Sequence, residues 1–195
     1  MSAAARRSQL LEVAREMVAE RGFLDISIQA VATRAGVTRP IVYEHFGGLD
    51  GLLEEVVERE MSRALEQIET TALGDLSAGD PAELMLDSLG SFLAAVASAP
   101  DTWRLVLTPP EGAPASLGRR IVRGRERVLR SLAAALQPGS LPGAFSSDPE
   151  LTARILSGIA DEYALMVIED PERYPPERLL AHAERWLADL TAPLT

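Results

Sequence analysis

The side chains with the clearest binding chemistry lie in residues 35–46, AGVTRPIVYEHF. This stretch predicts a short helix whose polar face carries Arg39, Pro40, Tyr43 and His45. Guanidinium, phenol and imidazole groups hydrogen-bond to phosphates, and arginine also forms bidentate contacts with guanine. The alternative is a solvated polar face with no partner. The set therefore indicates a candidate surface for a polyanion, whose identity depends on the elements that position it.

Composition gives no support to catalytic or metal chemistry. The chain has no cysteine, so disulfides and thiolate metal sites are impossible, and its two histidines, His45 and His182, are too few for a histidine-rich metal site. The sequence has no glycine-rich phosphate loop and no histidine–carboxylate pair at metal-ligand spacing. We therefore expect no enzyme activity, no metal and no cofactor, and a conventional substrate screen checks the enzyme alternative.

The net charge of -10 argues against nucleic-acid binding only if the charge is spread evenly. Residues 1–50 hold six arginines and six acidic residues and are neutral overall. Residues 51–195 hold 13 arginines and 23 acidic residues. The acidity thus belongs to the larger part of the chain, and it says little about what the first 50 residues bind.

Apolar residues recur at helical spacing along the chain, without a convincing strand pattern. Gly22 and Gly36 stand where helices would end, and Ser27 and Thr38 stand where the next helices would be capped. Pro40 then falls in a first turn, where its missing N–H has no intrahelical partner. We expect an all-α fold with helices near 3–21, 28–35, 39–46, 49–72, 81–98, 103–107, 116–137, 148–169 and 176–191.

Residues 27–46 are predicted to form two short helices joined by a tight glycine turn, and neither helix is long enough to fold alone. The first helix would supply the third wall. The apolar residues that would pack together are Ile28, Val31, Val37 and Val42 against Leu10, Ala14 and Met17. Three such helices form the helix-turn-helix module, whose second helix enters the DNA major groove.

This part of the chain resembles the TetR family of bacterial transcriptional regulators (TetR/AcrR). The resemblance runs from about Arg7 to Leu53 and includes GFLDISIQAVATRAGVTRPIVYEHFGGLDGLL, in which the spacing from Gly22 through Gly36 to YEHF is matched as a whole. It implies an N-terminal three-helix helix-turn-helix DNA-binding domain at residues 1–48. It also implies a C-terminal helical domain for ligand binding and dimerisation at residues 49–195.

The resemblance assigns roles to the polar side chains. Arg39 and Pro40 would open the recognition helix onto base edges, with the guanidinium on guanine and the ring near a thymine methyl. Gln29 would reach a base or a phosphate. The side chains that would hold phosphates are Ser27, Thr38, Tyr43 and His45. The expected partner is double-stranded DNA that carries a pseudo-palindromic operator.

One position departs from the family pattern. A lysine usually stands three residues after the Phe46 position, and Leu49 stands there in this chain. One phosphate contact would be lost, and backbone N–H groups at the start of the fourth helix would partly replace it. Arg6 and Arg7 would add contacts from the N-terminal arm. The departure leaves open a helical dimeric protein-interaction module that has lost DNA binding. A gel shift with the promoter region that flanks the gene separates the two readings.

The C-terminal part is expected to hold a small, mostly hydrophobic effector, because the family uses this interior as a pocket. The residues that would line it are Phe92, Trp103, Tyr163 and Met166. Core packing explains the same residues nearly as well. Binding of the effector would release a repressor from its operator, and activation remains open as the alternative.

The last two predicted helices carry more apolar surface than one chain needs to bury. Paired with a second copy they would form a four-helix interface. The predicted interface residues are Leu151, Ile155, Ile159, Leu179, Ala183, Trp186, Leu187 and Leu190. No apolar run approaches the ~20 residues of a membrane span, and the N-terminus lacks a signal-peptide core. We therefore expect a cytoplasmic homodimer with no membrane partner.

Overall fold

The regular elements of the described chain are helices. The computed structural model describes residues 2–71, 79–136 and 147–191. Over those ranges the helices are α1 (Ala3–Arg21), α2 (Ile28–Ala35), α3 (Arg39–Phe46), α4 (Leu49–Thr71), α5 (Pro81–Ser98), α6 (Pro100–Leu107), α7 (Ala115–Ala135), α8 (Pro149–Glu169) and α9 (Pro176–Thr191). This arrangement confirms the expected all-α fold with an N-terminal helix-turn-helix.

Local sequence signals account for the ends of α2 and α3. The Ser27 Oγ accepts a hydrogen bond from the Ala30 N–H at 3.2 Å and so caps α2. Gly36 and Gly47 end the two helices in the left-handed conformation, with φ of 67° and 72°. Thr38 occupies the N-cap position of α3 but makes no side-chain cap hydrogen bond, so the expected cap is absent there.

Helix α6 begins at Pro100 rather than at Trp103, where the apolar pattern begins. The Ala99 N–H still bonds to the Ala95 carbonyl at 3.2 Å, and the Ala99 carbonyl accepts from the Trp103 N–H at 3.2 Å. Helix α6 thus follows α5 with one residue between them. Proline suits the first turn because its missing N–H has no intrahelical partner there.

The first of two compact units consists of Met1–Arg63 with Thr108–Val122. In it α1 packs on α2, and α2 packs on α3. The residues expected to form its core are buried, namely Leu10, Ala14, Met17, Ile28, Val31 and Val42, and the remaining member, Val37, is half-buried. We call this group unit 1.

Unit 2 consists of Ala64–Leu107 with Arg123–Thr195. Helix α5 packs on α8 and α9, and α6 packs on α8. One core cluster includes Leu93, Val96 and Trp103, and another includes Leu136 and Leu187. The division into compact units places the first part of α4 in unit 1. The boundary expected at residue 48 separates DNA binding from ligand binding and dimerisation, and it stays a prediction.

None of the described helices is by itself long and apolar enough to cross a bilayer. Helices α5 and α6 meet the length and composition criteria only as a pair, and that pair is bent by 108°.

Candidate nucleic-acid interface

Helix α3 separates its apolar and polar side chains cleanly. Val42 is fully buried and Phe46 is 8% exposed, and both help to fix the helix in unit 1. On the other face, Arg39 and Pro40 are exposed and Tyr43 exposes 46% of its surface. Three of the sequence-predicted DNA contacts of α3, Arg39, Pro40 and Tyr43, are therefore presented outward from an anchored helix.

Arg39 and Arg34 differ sharply in availability. Within the described residues, no carboxylate or other acceptor engages the exposed Arg39 guanidinium. Arg34 instead lies 2.6 Å from Glu20 and 3.1 Å from Glu16 of α1. The hydrogen bond to Glu20, assisted by Glu16, holds the pKa of Arg34 above its usual range. Arg39 thus keeps its charge and donors for an external partner, and Arg34 is committed to the contact between α1 and α2.

The start of α2 and the turn after it present further polar groups. Ser27 is exposed, and its hydroxyl can donate to a phosphate while its oxygen caps α2. Gln29 is exposed and donates to the Thr33 Oγ1 at 3.1 Å. Thr38 is exposed, and its side chain makes no cap bond to α3. All three predicted contacts are therefore compatible with an external partner.

His45 is more involved in the interior than the sequence suggested. It is half-buried, and its ring centroid lies 6.1 Å from that of Phe46. Its carbonyl accepts a hydrogen bond from Arg7. An acidic neighbour, Glu44, is exposed on the same helix and would oppose a phosphate backbone. The role of His45 as a phosphate contact stays a prediction.

Two residues position α3 in a way that sequence reasoning did not predict. Gly51 lies in the first turn of α4, and a Cβ placed there would lie 2.1 Å from the Phe46 carbonyl oxygen. Arg7 of α1 pairs with Glu55 of α4 and contacts the last turn of α3. The glycine-rich stretch at 47–51 gave a signal for the first residue, whereas nothing local marks the second.

The predicted ligand-binding residues come together in one core cluster of unit 2, with their polar atoms already paired. Trp103 is 2% exposed, donates to the Gln67 Oε1 at 2.9 Å and meets Phe92 edge-on at 5.0 Å between centroids. The Tyr163 hydroxyl lies 2.5 Å from the His182 Nδ1. Met166 is half-buried against the same cluster. Their part in ligand binding stays a prediction.

The predicted dimer residues fall into two groups. Leu179, Ala183 and Leu187 are buried within unit 2 itself, and Ile159 and Trp186 are half-buried against its clusters. Leu151 and Ile155 expose 57% and 53% of their surface. The Leu190 side chain lies outside the described residues. The exposed apolar part of the predicted interface is therefore the first half of α8.

Metal binding has no candidate in the described ranges, where no group of three or more histidine, aspartate or glutamate side chains is placed to hold an ion. Two arginines of α7 form ion pairs with acidic residues. Arg120 pairs with Glu58 in unit 1, and Arg125 lies 2.7 Å from Asp161 in unit 2. These two guanidinium groups are therefore engaged within the chain.

Comparison with known proteins places the helix-turn-helix in a family. Residues 10–56 match the family model of bacterial regulatory proteins, tetR family. A TetR-like transcriptional regulator from Rhodococcus sp. RHA1 is 25% identical, with a TM-score of 0.72 and coverage of 96% of this chain and 98% of that one. A TetR/AcrR regulator from Thermobifida fusca is 22% identical, with a TM-score of 0.66 and coverage of 97% and 100%.

A further solved structure has the same fold. AibR, whose crystal structure contains isovaleryl coenzyme A and operator DNA, is 18% identical, with a TM-score of 0.69 and coverage of 97% of this chain and 100% of that one. The family match lies on the same helices that present Arg39 and Tyr43 outward. Residues 10–56 therefore match the helix-turn-helix of bacterial regulatory proteins of the tetR family, and the chain as a whole shares the all-helical fold of solved TetR-like regulators.

Proposed function

We propose that the chain is a homodimeric repressor that binds a pseudo-palindromic operator and is released from it by a small, mostly hydrophobic molecule. The observation that carries the DNA-binding step is the outward face of α3. That face combines an unengaged Arg39 guanidinium with the exposed Tyr43, on a helix held by buried Val42. Operator binding places the protein in the bacterial cytoplasm, where the chromosome lies.

Dimerisation is supported by the exposed apolar residues of α8. Leu151 and Ile155 are four residues apart, so they lie on one face of the helix. A twofold dimer presents two copies of α3, and such dimers read two half-sites of one operator. The functional division at residue 48 follows the same scheme, with DNA reading before it and ligand binding and pairing after it.

Effector control is supported by the composition of unit 2 and by relatives of the same fold. Its core cluster contains Phe92, Trp103, Tyr163 and Met166, which offer apolar and aromatic surface. AibR was crystallised with both isovaleryl coenzyme A and operator DNA. A bound effector would favour a conformation in which the spacing of the two recognition helices no longer fits adjacent major grooves. The same linkage requires operator DNA to weaken effector binding.

The test is a gel shift with the promoter region that flanks the gene, with unrelated DNA of equal length and composition as the control. Preferential binding that survives competitor DNA is expected. Absence of any preference, with the dimer intact, would favour the protein-interaction module instead. One fatty acid and its coenzyme A thioester are then added separately to the protein–DNA complex, and the release of DNA is measured for each. Trp103→Phe should shift the response to an active compound without changing operator affinity.

A further inference from the structure

Arg7 of α1 contacts three groups on two other helices of unit 1. Its guanidinium donates to the His45 carbonyl at the end of α3 and pairs with Glu55 of α4. The same group lies over the Phe46 ring, 4.6 Å from the ring centroid. One side chain therefore joins α1, the last turn of α3 and the second turn of α4. We call this arrangement the Arg7 clasp.

The chemistry of the clasp suits the end of a helix. The last carbonyls of an α-helix have no intrahelical partner, and a cation near them is favoured by the helix dipole. The Gly47 N–H bonds to the Tyr43 carbonyl at 2.8 Å, and Arg7 supplies the partner of the His45 carbonyl. A planar guanidinium can donate to two acceptors in its own plane while its face lies over a ring, and the compact ammonium of lysine does not reproduce that geometry.

Helix α3 needs external support to keep a fixed direction. It has only eight residues, and helices of that length are not stable alone in water. Val42 and Phe46 anchor its inner face, and Phe46 is also the residue that Arg7 covers. The clasp therefore restrains the end of α3 that lies opposite the exposed Arg39.

We propose that Arg7 is a positioning residue for operator recognition. It fixes the direction in which Arg39 and Tyr43 face DNA, and it does so without a phosphate contact of its own. The proposal rests on the proposed DNA binding of α3. An arginine near the start of such a domain would ordinarily be read as a phosphate contact, but the guanidinium of Arg7 is already engaged by His45 and Glu55.

The experiment compares wild type with Arg7→Lys and Arg7→Ala, and uses Arg21→Ala as the matched control. Arg21 lies on the same helix and is exposed, and its replacement by alanine removes the same charge as Arg7→Ala. Operator affinity is measured over a range of salt concentrations, at a temperature where every variant is folded. The Arg7 side chain is 39% exposed, and ion pairs that exposed add little stability, so both Arg7 variants should fold.

Both Arg7 variants should lose roughly tenfold in operator affinity. Without the Arg7 clasp, the contacts that Arg39 and Tyr43 make with DNA are no longer preorganised. The dependence of log affinity on log salt should keep the wild-type slope, and Arg21→Ala should bind like wild type. In Arg7→Ala, which removes the charge, a slope reduced by roughly 0.9 would identify Arg7 as a phosphate contact and overturn the proposal. Wild-type affinity in Arg7→Lys, or a lower melting temperature with unchanged affinity, would also overturn it.

Amide hydrogen exchange without DNA separates this inference from the proposed function. In Arg7→Lys the amides of α3 should exchange roughly tenfold faster, while those of α2 keep the wild-type rate. If wild type shows no operator preference yet α3 loosens in this way, DNA binding fails and the clasp stands. If the exchange of α3 is unchanged, the clasp is refuted whatever the DNA result.

Discussion

At the scale of single residues, availability matters more than residue type. Arg34 and Arg39 stand five positions apart, yet the first is tied to Glu16 and Glu20 and the second has no partner in the described part of the chain. A count of charges cannot separate them. Base reading is therefore assigned to Arg39 because its five donors remain free to meet the edge of a guanine.

Replacing Arg39 by alanine should cost about 1–3 kcal/mol on the preferred operator and relax the base choice at one position of each half-site. Tyr43→Phe should instead weaken binding to all sequences alike, because phosphates carry no sequence information. Competition gel shifts with operators mutated one base at a time measure the difference. Unchanged base preference in Arg39→Ala would remove its assigned role.

Gly51 is the residue where a single methyl group should matter most for stability. A Cβ there would lie 2.1 Å from the Phe46 carbonyl oxygen, which is backbone and cannot turn away. Gly51→Ala should therefore destabilise the protein by about 1–3 kcal/mol or more in urea unfolding. Gly118→Ala is the matched control, since its Cβ would meet nothing within 4 Å and helix propensity favours alanine there. Equal stability of the two variants would contradict the close approach.

At the scale of elements, local signals predicted the helices well and long-range contacts poorly. Helix α5 spans Pro81–Ser98, the range that the sequence predicts, and its N-cap residue Asp80 accepts from the Ala82 N–H at 2.8 Å. The Arg7 clasp joins residues far apart in the chain, and no sequence pattern specifies such a pairing. The approach of Gly51 to α3 is local by contrast, and the glycine-rich stretch at 47–51 marks the turn where it occurs.

The pKa values of two carboxyl groups in the helices are shifted in opposite directions. Burial raises the pKa of Glu12, but the hydrogen bond and charge of Arg15 and the charges of Arg59 and Arg63 outweigh it, so the net pKa is below 4.5. Burial also raises the pKa of Asp161, and there the charge of Arg125 does not compensate, so the pKa lies above 3.8. Folding therefore favours the ionised form of Glu12 and disfavours the ionised form of Asp161.

The sign of the pH dependence follows for each group. The stabilisation from Glu12 is present above pH 4.5 and is lost as the pH falls through its lowered folded pKa. That from Asp161 is present in acid, below pH 3.8, and is lost as the pH rises through its raised folded pKa. Glu12→Gln should thus lower stability at pH 7 more than at pH 3.

Asp161→Asn should do the reverse and raise stability at pH 7, by about 0.5 kcal/mol, with a smaller effect at pH 3. Glu162→Gln, the exposed neighbour on α8, serves as the control. Chemical denaturation at pH 7 and pH 3 measures the free energy of unfolding of each variant and of wild type. A loss of stability in Asp161→Asn at pH 7 would mean that the Arg125 pair outweighs burial after all.

At the scale of the whole molecule, apolar periodicity shows that a face is covered but not what covers it. The last two helices were expected to meet a second copy along both faces. The structure buries Leu179, Ala183 and Leu187 inside unit 2, so the chain itself supplies much of that cover. Leu151 and Ile155 are the members of the predicted set that remain more than half exposed.

This division gives the dimer a test that does not confuse dissociation with unfolding. Leu151→Glu and Ile155→Glu change exposed positions, so the folded chain should tolerate them, whereas a charge inside a dimer interface is strongly unfavourable. Val122→Glu is the matched control, because Val122 is also 57% exposed and lies outside the predicted interface. Sedimentation at micromolar concentration should show wild type and Val122→Glu as dimers. Both α8 variants should shift by tenfold or more toward monomer, and operator affinity should fall with them because one subunit reads only one half-site. A wild-type monomer would refute the dimer itself, and α8 variants that stay dimeric would place the contact on another face of the chain.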